Sequence, residues 1–339
     1  MDYNLFEKFS RAIGPSGKEE AVMELFIKEA ADYVDKYCVD PLGNLYCYVN
    51  GDLENTVAII AHADQVGFMV NHIEDNGMIR LASIGTFDIT GLQGTSVSII
   101  HKQSEINGVF AAPPAYYFQL SSPTNISDLY VDIGATNKII ANQSVSIGDY
   151  AVFTPRFVPI GTHYISCTAA DDRCGVYVLY ETIRNLHKKT SHKNIIFILS
   201  VQEELGARGA SAIPYHIEAD EFIVVDVTHA TDIPSINIAR YGDIQVGQGV
   251  VIPRGSNLSP KIQDKLIMAA QASALPYQIE ARPTSSGTDA KNIQIAKGGV
   301  NTGLLSIPCR YIHSPVETVS SKDIDLAITL LTDYCINAL

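Results

Sequence analysis

The sequence is poor in basic residues and has no long apolar run. Among its 339 residues, 24 are Lys or Arg and 37 are Asp or Glu, so the net charge is −13. Nucleic-acid binding needs clustered cations that neutralise phosphates, so nucleic acid is not an expected partner. The longest uncharged apolar stretch falls far short of a membrane span, and residues 1–17 lack the pattern of a secretory signal. We therefore expect a cytoplasmic protein that has no contact with membranes.

Cysteines are few and are not spaced as metal-binding or redox pairs. The six cysteines form no C-x-x-C motif, and in a chain of this length an even count does not argue for disulfides. We expect reduced, mostly buried thiols. The 46% hydrophobic content is enough for a large core with a smaller second unit. No internal repeat or low-complexity segment is present.

Apolar strands alternate with helices near both ends of the chain. Helical spacing of apolar residues predicts helices within residues 4–36, where Ser16 and Glu19 form a capping-box pattern. Strands are predicted at 44–49, 56–62, 194–202, 222–227 and 304–308, and helices at 175–186, 207–213, 261–273 and 321–338. Apolar strands between helices indicate a mixed or parallel sheet covered on both faces.

Residues 66–157 follow a different pattern. Short β-type runs broken by Gly, Pro, Asn and Asp occur there, and helical periodicity is nearly absent. This pattern predicts a small all-β barrel or sandwich. We therefore expect an α/β domain made of residues 1–65 and 158–339, with residues 66–157 inserted in it.

Candidate functional residues lie where predicted strands end. His62 and Asp64 follow the strand at 56–62, and residues two apart on an extended chain point to the same side. One of them could bind a metal while the other holds it in place. In an isolated H-x-D, a His and an Asp in a surface turn are the more common explanation.

Paired carboxylates occur at two further points. Asp171 and Asp172 precede the helix at 175–186, where they either cap the helix or bridge two cations. Glu203 and Glu204 end a buried strand, where two acids would repel each other unless a cation or a proton intervenes. Neighbouring side chains point in different directions, so one Glu can be a ligand while the other acts as a general base.

The remaining candidates follow the last two strands. Asp226 is flanked by valines and would be costly to bury without a partner. His313 lies in a loop after the strand at 304–308, and we interpret His229 as a structural histidine. Because ligands bind at the carboxyl edge of such sheets, these groups together indicate a pair of divalent cations.

At these residues the chain resembles the glutamyl or deblocking aminopeptidases, dizinc exopeptidases that form tetrahedral twelve-subunit particles. The segments that carry the resemblance are 14–19, 61–70, 169–175, 201–210, 225–230, 286–290 and 307–317. The resemblance implies a phosphorylase/aminopeptidase-like fold, hydrolysis of N-terminal residues from short peptides, and assembly from dimers up to dodecamers through the insertion.

The family's site residues can be placed on this sequence. The resemblance implies that His62, Asp171 and Asp226 hold one metal. Asp171 would bridge to the second, which Glu204 and His313 would also hold. Glu203 would be the general base, and Asp64 would steady His62. The implied cations are Zn²⁺ or Co²⁺, with Mn²⁺ as an alternative.

Two positions depart from the family pattern. Gln65 stands where a Glu is usual, and residues 168–170 are Thr-Ala-Ala where Lys-Ala-Leu is frequent. Neither position is an implied ligand or the implied base. The departures therefore bear on substrate preference or metal affinity, in a direction that the sequence does not give.

Alternative functions remain open at this stage. A non-catalytic shell protein would need a lost ligand or base, and none is lost. A glycoside hydrolase that uses Glu203 and another acid would need no metal. A related dizinc deacylase or carboxypeptidase would differ in which end of the peptide it trims.

Overall fold

The computed structural model describes residues 1–112, 125–189 and 192–336. In chain order the strands are β1 (Lys36–Val39), β2 (Leu45–Val49), β3 (Leu53–His62), β4 (Gly67–Ile73), β5 (Ile79–Ile84), β6 (Ser96–His101), β7 (Ser104–Ala111), β8 (Tyr130–Asp132), β9 (Tyr150–Phe153), β10 (Phe157–Ile160), β11 (Tyr164–Cys167), β12 (Lys193–Ser200), β13 (Glu221–His229), β14 (Val250–Gly255), β15 (Tyr277–Arg282), β16 (Thr302–Cys309) and β17 (Glu317–Ser320). The helices are α1 (Tyr3–Arg11), α2 (Glu20–Ala30), α3 (Lys138–Ser144), α4 (Ala170–Leu186), α5 (Arg208–His216), α6 (Ile238–Tyr241), α7 (Pro260–Ala272), α8 (Ala290–Ile293) and α9 (Ser321–Ile336).

An eight-stranded mixed sheet organises the larger part of the molecule. Its strand order is β1-β2-β12-β3-β13-β16-β14-β15. The central strands β12, β3, β13 and β16 run parallel, and Ser200 pairs with His62 where β12 and β3 end. Strands buried on both faces need nearly continuous apolar runs, as β12 and β13 have. The carboxyl ends of the four central strands therefore meet at one edge of the sheet.

Helices cover both faces of this sheet. Alternate residues of β3 point to opposite sides: Ile59 packs in the core with α1, α2, α4, α7 and α9, whereas Ile60 packs in the core with α5 and α8. A three-stranded antiparallel sheet, in the order β10-β11-β17, lies beside the main sheet. It brings the start of α4 close to the segment that precedes β17.

A separate antiparallel barrel, in the order β4-β5-β8-β7-β6-β9, has its own core. Phe68 occupies its centre, with ring centroids 4.9 Å from Phe110 and 5.4 Å from Phe153. The predicted fold class, a mixed sheet between helices with a small all-β unit, is confirmed. The barrel strands lie between Gly67 and Phe153, and the domain limits at 65/66 and 157/158 stay a prediction. No helix in the described ranges is long and apolar enough to span a membrane.

The structure corrects several local predictions. The capping box is wrong, because α2 begins at Glu20 without a side-chain cap and the Ser16 hydroxyl donates to Asp64 Oδ2 at 2.6 Å. Helix α3 lies in the segment for which almost no helix was expected. Strands β14 and β15 and the three-stranded sheet were not predicted. All six cysteines are free, and all but Cys38 are buried.

Candidate metal centre and catalytic residues

The structure brings all five predicted ligands to the carboxyl edge of the main sheet. His62 ends β3, Asp226 lies near the end of β13, and His313 follows β16. Asp171 lies in the first turn of α4, which follows β11, and Glu204 lies in a 3₁₀ turn after β12. Four of these segments lie near or after the ends of parallel strands and meet at one edge, as the polarity of the sheet requires, and the three-stranded sheet brings Asp171 to the same place.

Asp171 occupies the centre of the cluster. Its Oδ1 lies 2.9 Å from His62 Nε2, and its Oδ2 lies 3.3 Å from His313 Nε2. His313 Nε2 also lies 3.1 Å from Glu204 Oε1, and His62 Nε2 lies 3.7 Å from Asp226 Oδ1. One carboxylate thus contacts the Nε2 atoms of two imidazoles, and each of these Nε2 atoms lies near one further carboxylate.

Asp172 combines a capping contact with a place beside the cluster. Its Oδ1 accepts the N–H of Gly175 at 2.9 Å, as a residue that caps a helix does. Its Oδ2 is buried and has no hydrogen-bond partner among the described residues. Ligand atoms of Asp172, His62 and Asp226 lie within 4.8 Å of one another. A buried, unpartnered carboxylate oxygen at this position is costly unless a cation lies near it.

Burial and ion pairing compete for the charges of the cluster. Burial lowers the pKa of His313, but hydrogen bonds to Asp171 and Glu204 outweigh this effect and raise it to about 11. Burial opposes ionisation of Asp171, and the two imidazoles still hold its pKa well below the usual value. Burial raises the pKa values of Glu204 and Asp226.

The donor set fits divalent cations. Two imidazoles and several buried carboxylates are the ligands that Zn²⁺, Co²⁺ and Mn²⁺ take in proteins. Ligand atoms of His62, Asp171 and Glu204 lie within 4.8 Å of one another. The carboxylates outnumber the two histidines, so further positive charge is needed if all of them are to ionise.

Glu203 lies beside the cluster with its carboxylate free. The residue is 7% exposed, and its side chain accepts no hydrogen bond from the described ranges of the chain. Burial raises its pKa well above the usual value, and the neighbouring Asp289, Asp226 and Glu204 raise it further. A buried carboxyl group with a raised pKa and no fixed partner has the properties of a general base or acid.

Asp64 contacts both His62, a candidate metal ligand, and the 3₁₀ turn that begins at Glu203. His62 Nδ1 lies 3.1 Å from the Asp64 backbone oxygen and 3.4 Å from its Oδ1. The same carboxylate accepts the N–H of Glu203 at 3.0 Å and the N–H of Glu204 at 3.1 Å. Asp64 is fully buried. It therefore fixes a metal-ligand candidate and the candidate base together, which is a wider role than the steadying of His62 that the sequence predicted.

Glu317 is a positioning residue that the sequence analysis missed. It is 2% exposed. Its Oε2 accepts the N–H of Asp171 at 3.0 Å, and its Oε1 accepts the N–H of His313 at 2.7 Å. One buried carboxylate thus ties the backbones of two candidate ligands together. In the sequence, Glu317 stands out only because it lies in the 307–317 segment that carries the family resemblance. That position indicates no role for the residue.

Backbone strain is concentrated around the site. In residues 1–112, 125–189 and 192–336, nine non-glycine residues have a positive φ, and five of them lie at or beside the candidate ligands and base. These five are Ala169, Gln202, Ala207, Tyr311 and His313, with φ between 56° and 62°. Such conformations cost of order 1 kcal/mol or more each and persist only where surrounding contacts hold them. The Glu317 carboxylate provides such a contact at His313.

Other residues near this edge lie in supporting positions. Asp289 occupies the N-cap position of α8 without a side-chain cap and accepts the Ser200 hydroxyl, and Arg310 pairs with Asp232. His229 lines a cleft beside the cluster and is not among the grouped ligand atoms. Cys174 and Cys309 are fully buried in the main core, which agrees with a packing role.

Gln65 and Thr168, at the two departures from the family pattern, form their side-chain hydrogen bonds with residues that are not candidate ligands. Gln65 Oε1 accepts from Arg173 Nη2 at 3.2 Å, and Arg173 is fully buried. Burial lowers the pKa of Arg173 to about 10. The Thr168 hydroxyl accepts the N–H of Arg156 at 3.1 Å. These contacts place both residues in the support of α4 and its preceding loop.

Known proteins resemble this chain along nearly its whole length. A putative aminopeptidase of Acetivibrio thermocellus is 36% identical, with 98% of this chain and 97% of the relative covered. A lysyl aminopeptidase of Pyrococcus furiosus is 31% identical, with 97% and 95% covered. Among solved structures, the Pyrococcus horikoshii TET1 peptidase, described as assembling into a tetrahedron or a large octahedral shell, has a TM-score of 0.88. It is 29% identical, with 98% and 99% covered.

The family profile of the M42 glutamyl aminopeptidases matches residues 43–330. This range includes His62, Asp171, Glu203, Glu204, Asp226 and His313. The chain therefore belongs to the M42 glutamyl aminopeptidase family.

Proposed function

We propose that the protein is a two-metal aminopeptidase that hydrolyses single residues from the N-terminus of short peptides. His62, Asp171 and Asp226 would hold one divalent cation, and Asp171, Glu204 and His313 would hold the second. Zn²⁺ or Co²⁺ suits these ligands best, with Mn²⁺ as the alternative. The observation that carries the proposal is the position of Asp171, whose two carboxylate oxygens face two different imidazoles.

When bound, such cations supply Lewis acidity and make water a stronger nucleophile near neutral pH. Glu203 would accept a proton at a carboxylate oxygen as water adds to the peptide carbonyl carbon. It would then return that proton to the amine nitrogen as the C–N bond breaks. The Asp64 carboxylate accepts the backbone N–H of Glu203. This contact would keep the base close to the ligands during the proton transfer.

The proposal extends to assembly. A relative of almost equal length forms tetrahedral or octahedral shells, and the barrel of this chain exposes Ile139 and Ile147, which are 76% and 68% accessible. Such exposed apolar side chains suit contacts between subunits. We propose a homo-oligomer, from a dimer up to a tetrahedral dodecamer, with short peptides as substrates. The cytoplasmic location stays a prediction.

The family match disfavours the glycoside hydrolase and the non-catalytic shell. The end of the peptide that is trimmed can be tested with matched peptides. An N-terminally acetylated peptide should resist cleavage, whereas amidation of the C-terminus should have little effect. The opposite result would make the protein a carboxypeptidase.

The decisive experiment combines metal analysis with aminoacyl-p-nitroanilide hydrolysis. Protein stripped with a chelator should be inactive and should recover activity with Zn²⁺ or Co²⁺. The Glu203→Gln variant should bind metal normally and lose roughly 10²-fold or more in kcat, in line with general acid–base contributions. The Asp171→Ala variant should lose bound metal as well as activity.

Glu218→Gln is the matched control, because the Glu218 carboxylate is 93% exposed and lies in an ion pair with Lys297. This control should keep both metal and rate. Full activity of Glu203→Gln would reject its role as the base. Two tightly bound ions per chain in Asp171→Ala would reject the bridging role.

A further inference from the structure

A cleft of about 560 Å³ opens beside the candidate metal centre. Its walls come from the end of β13 and the segment after it, from the end of β15 and its following loop, and from Tyr311 and Ile312. Ile312 directly precedes His313, and β13 carries Asp226. Partial burial and the charge of His313 lower the pKa of His229, which lines the cleft. The cleft therefore adjoins the cluster.

A smaller cleft of about 350 Å³ shares Tyr311 and Ile312 with the larger one. It is lined by the 311–316 loop and by Asp88, Gly91 and Leu92, and none of these lining residues belongs to β13. The smaller cleft is lined by His313 itself, whereas the larger one includes residues of β13, the strand that carries Asp226. The first residue of a peptide must place its amine and its carbonyl at the cluster, so its side chain must enter a cleft that adjoins the cluster, and the larger cleft has the greater volume for it.

The two ionised side chains in the larger cleft neutralise each other. Arg282 Nε lies 3.0 Å from Glu280 Oε2, and the side chains are only 19% and 14% exposed. The hydroxyl of Thr228 donates to Glu280 Oε2 at 3.0 Å and accepts from Arg282 Nη2. A substrate lysine would have to compete with Arg282 for the carboxylate, and a substrate glutamate would have to compete with Glu280 for the guanidinium. The pair therefore presents no net charge to either substrate.

The remaining walls of the cleft are largely apolar. Ile233, Ile236, Pro283 and Ile312 line it, together with two tyrosines. Ile236, Tyr241 and Tyr311 are 37%, 55% and 47% exposed, although they are large apolar or aromatic side chains. Exposed apolar residues that gather around one concave site are typical of a ligand-binding surface. The occupant that these walls fit is itself apolar.

We propose that this cleft receives the side chain of the substrate's first residue and selects uncharged, large apolar residues such as Leu, Met and Phe over Lys and Glu. The inference rests on the proposed aminopeptidase function. The proposed preference for large apolar first residues differs from the lysyl activity named for one relative and from the glutamyl activity named for the family. The difference arises from the Glu280–Arg282 pair and the apolar walls.

The first test is a panel of Leu, Phe, Ala, Lys and Glu p-nitroanilides on the metal-reconstituted protein. We expect kcat/KM for Leu and Phe to exceed that for Lys and Glu by at least about tenfold, because an unpaired charge would be desolvated in the cleft. Equal or better hydrolysis of Lys or Glu substrates overturns the cleft assignment and leaves the proposed function standing. Absence of hydrolysis for every substrate overturns both.

Dipeptides separate the first position from the second. Leu-Ala should be cleaved faster than Ala-Leu if the cleft takes the first side chain. If the rate follows the second residue instead, the cleft serves the leaving side and the proposal is overturned.

Two reciprocal variants test the charge pair itself. Glu280→Gln leaves Arg282 unpaired and should raise the Glu-to-Leu ratio of kcat/KM by about tenfold, whereas Arg282→Gln should raise the Lys-to-Leu ratio similarly. Arg254→Gln is the control, because Arg254 pairs with Asp264 outside this cleft, and it should change neither ratio. Unchanged ratios in both reciprocal variants, with Leu still hydrolysed, refute the role of the pair.

Discussion

Replacing Glu317 by Gln tests whether one buried carboxylate positions two candidate ligands. Gln has nearly the shape of Glu but only one acceptor oxygen. The N–H of either Asp171 or His313 would therefore face an amide NH₂ group instead of an acceptor. Leaving a buried donor unsatisfied costs about 1–3 kcal/mol. At His313 this cost adds to a backbone conformation that is already unfavourable, with φ of 62°.

The expected consequence is weaker metal binding. Loss of a partner that orients metal ligands typically lowers metal affinity by roughly 10–100-fold. We expect the Kd for Zn²⁺ to rise by this factor in Glu317→Gln and further in Glu317→Ala, which removes both acceptors. At saturating metal, kcat of the Gln variant should stay within about tenfold of the parent value, since Glu203 is untouched.

The assay is a titration of metal-free protein with Zn²⁺ in competition with a chromophoric chelator. Thermal unfolding of the metal-free variants is measured in parallel. Glu181→Gln is the matched control, because Glu181 is a half-buried acid of α4 that bonds Arg184 instead of the site. An unchanged Kd in a folded Glu317→Gln variant would refute the positioning role. A lower melting temperature alone would show only a structural contribution.

Three further predictions concern buried groups outside the cluster. Gln65→Glu should raise the free energy of unfolding by about 1 kcal/mol, because Arg173 would gain a charge-assisted hydrogen bond; a destabilised variant in urea unfolding would contradict this. Gly175→Ala should cost about 2 kcal/mol, because an added Cβ would overlap the Asp172 carboxylate, whereas Gly287→Ala, with open space around it, should not. The Glu221 carboxylate forms an ion pair with Lys265 at 2.7 Å. Burial raises the pKa of Glu221, but its hydrogen bonds, among them the one from Lys265, lower this pKa below the usual value. The stabilising effect of ionised Glu221 is therefore present above the pKa that Glu221 has in the unfolded state. It is lost as the pH falls through the lower pKa that Glu221 has in the folded state. Glu221→Gln should thus cost about 3 kcal/mol near pH 7, and the deficit should shrink below about pH 4; a deficit constant from pH 7 to pH 3 would refute the charge argument.

The main strands and the gathering of the candidate ligands at one sheet edge could be predicted from the sequence because both follow from simple patterns. Strands buried on both faces read as apolar runs, and polar residues at the ends of such runs must lie at one edge of a parallel sheet. His62, Glu204 and Asp226 are found in this way. Strand β15 was missed because its exposed positions interrupt the apolar pattern, and β14 was missed because its apolar run is short and ends at Pro253.

Contacts between distant segments could not be predicted in the same way. Ser16 has the spacing of a helix cap, yet its hydroxyl donates to Asp64, 48 residues away. Glu317 accepts a backbone N–H that lies 146 residues away. Backbone donors carry no side-chain signature, so no sequence pattern marks the carboxylate that binds them. The tertiary partner decided the role of both residues.

The hydrogen bonds of Asp64 bear on attempts to re-engineer this enzyme. A substitution that shifts the imidazole at position 62 to favour another cation would also pull on the turn that presents the acid at 203. Ion selectivity and proton transfer therefore cannot be tuned independently from this side of the site. The candidate ligand His313 is held through a different carboxylate, that of Glu317, so directed changes of ion preference should start there.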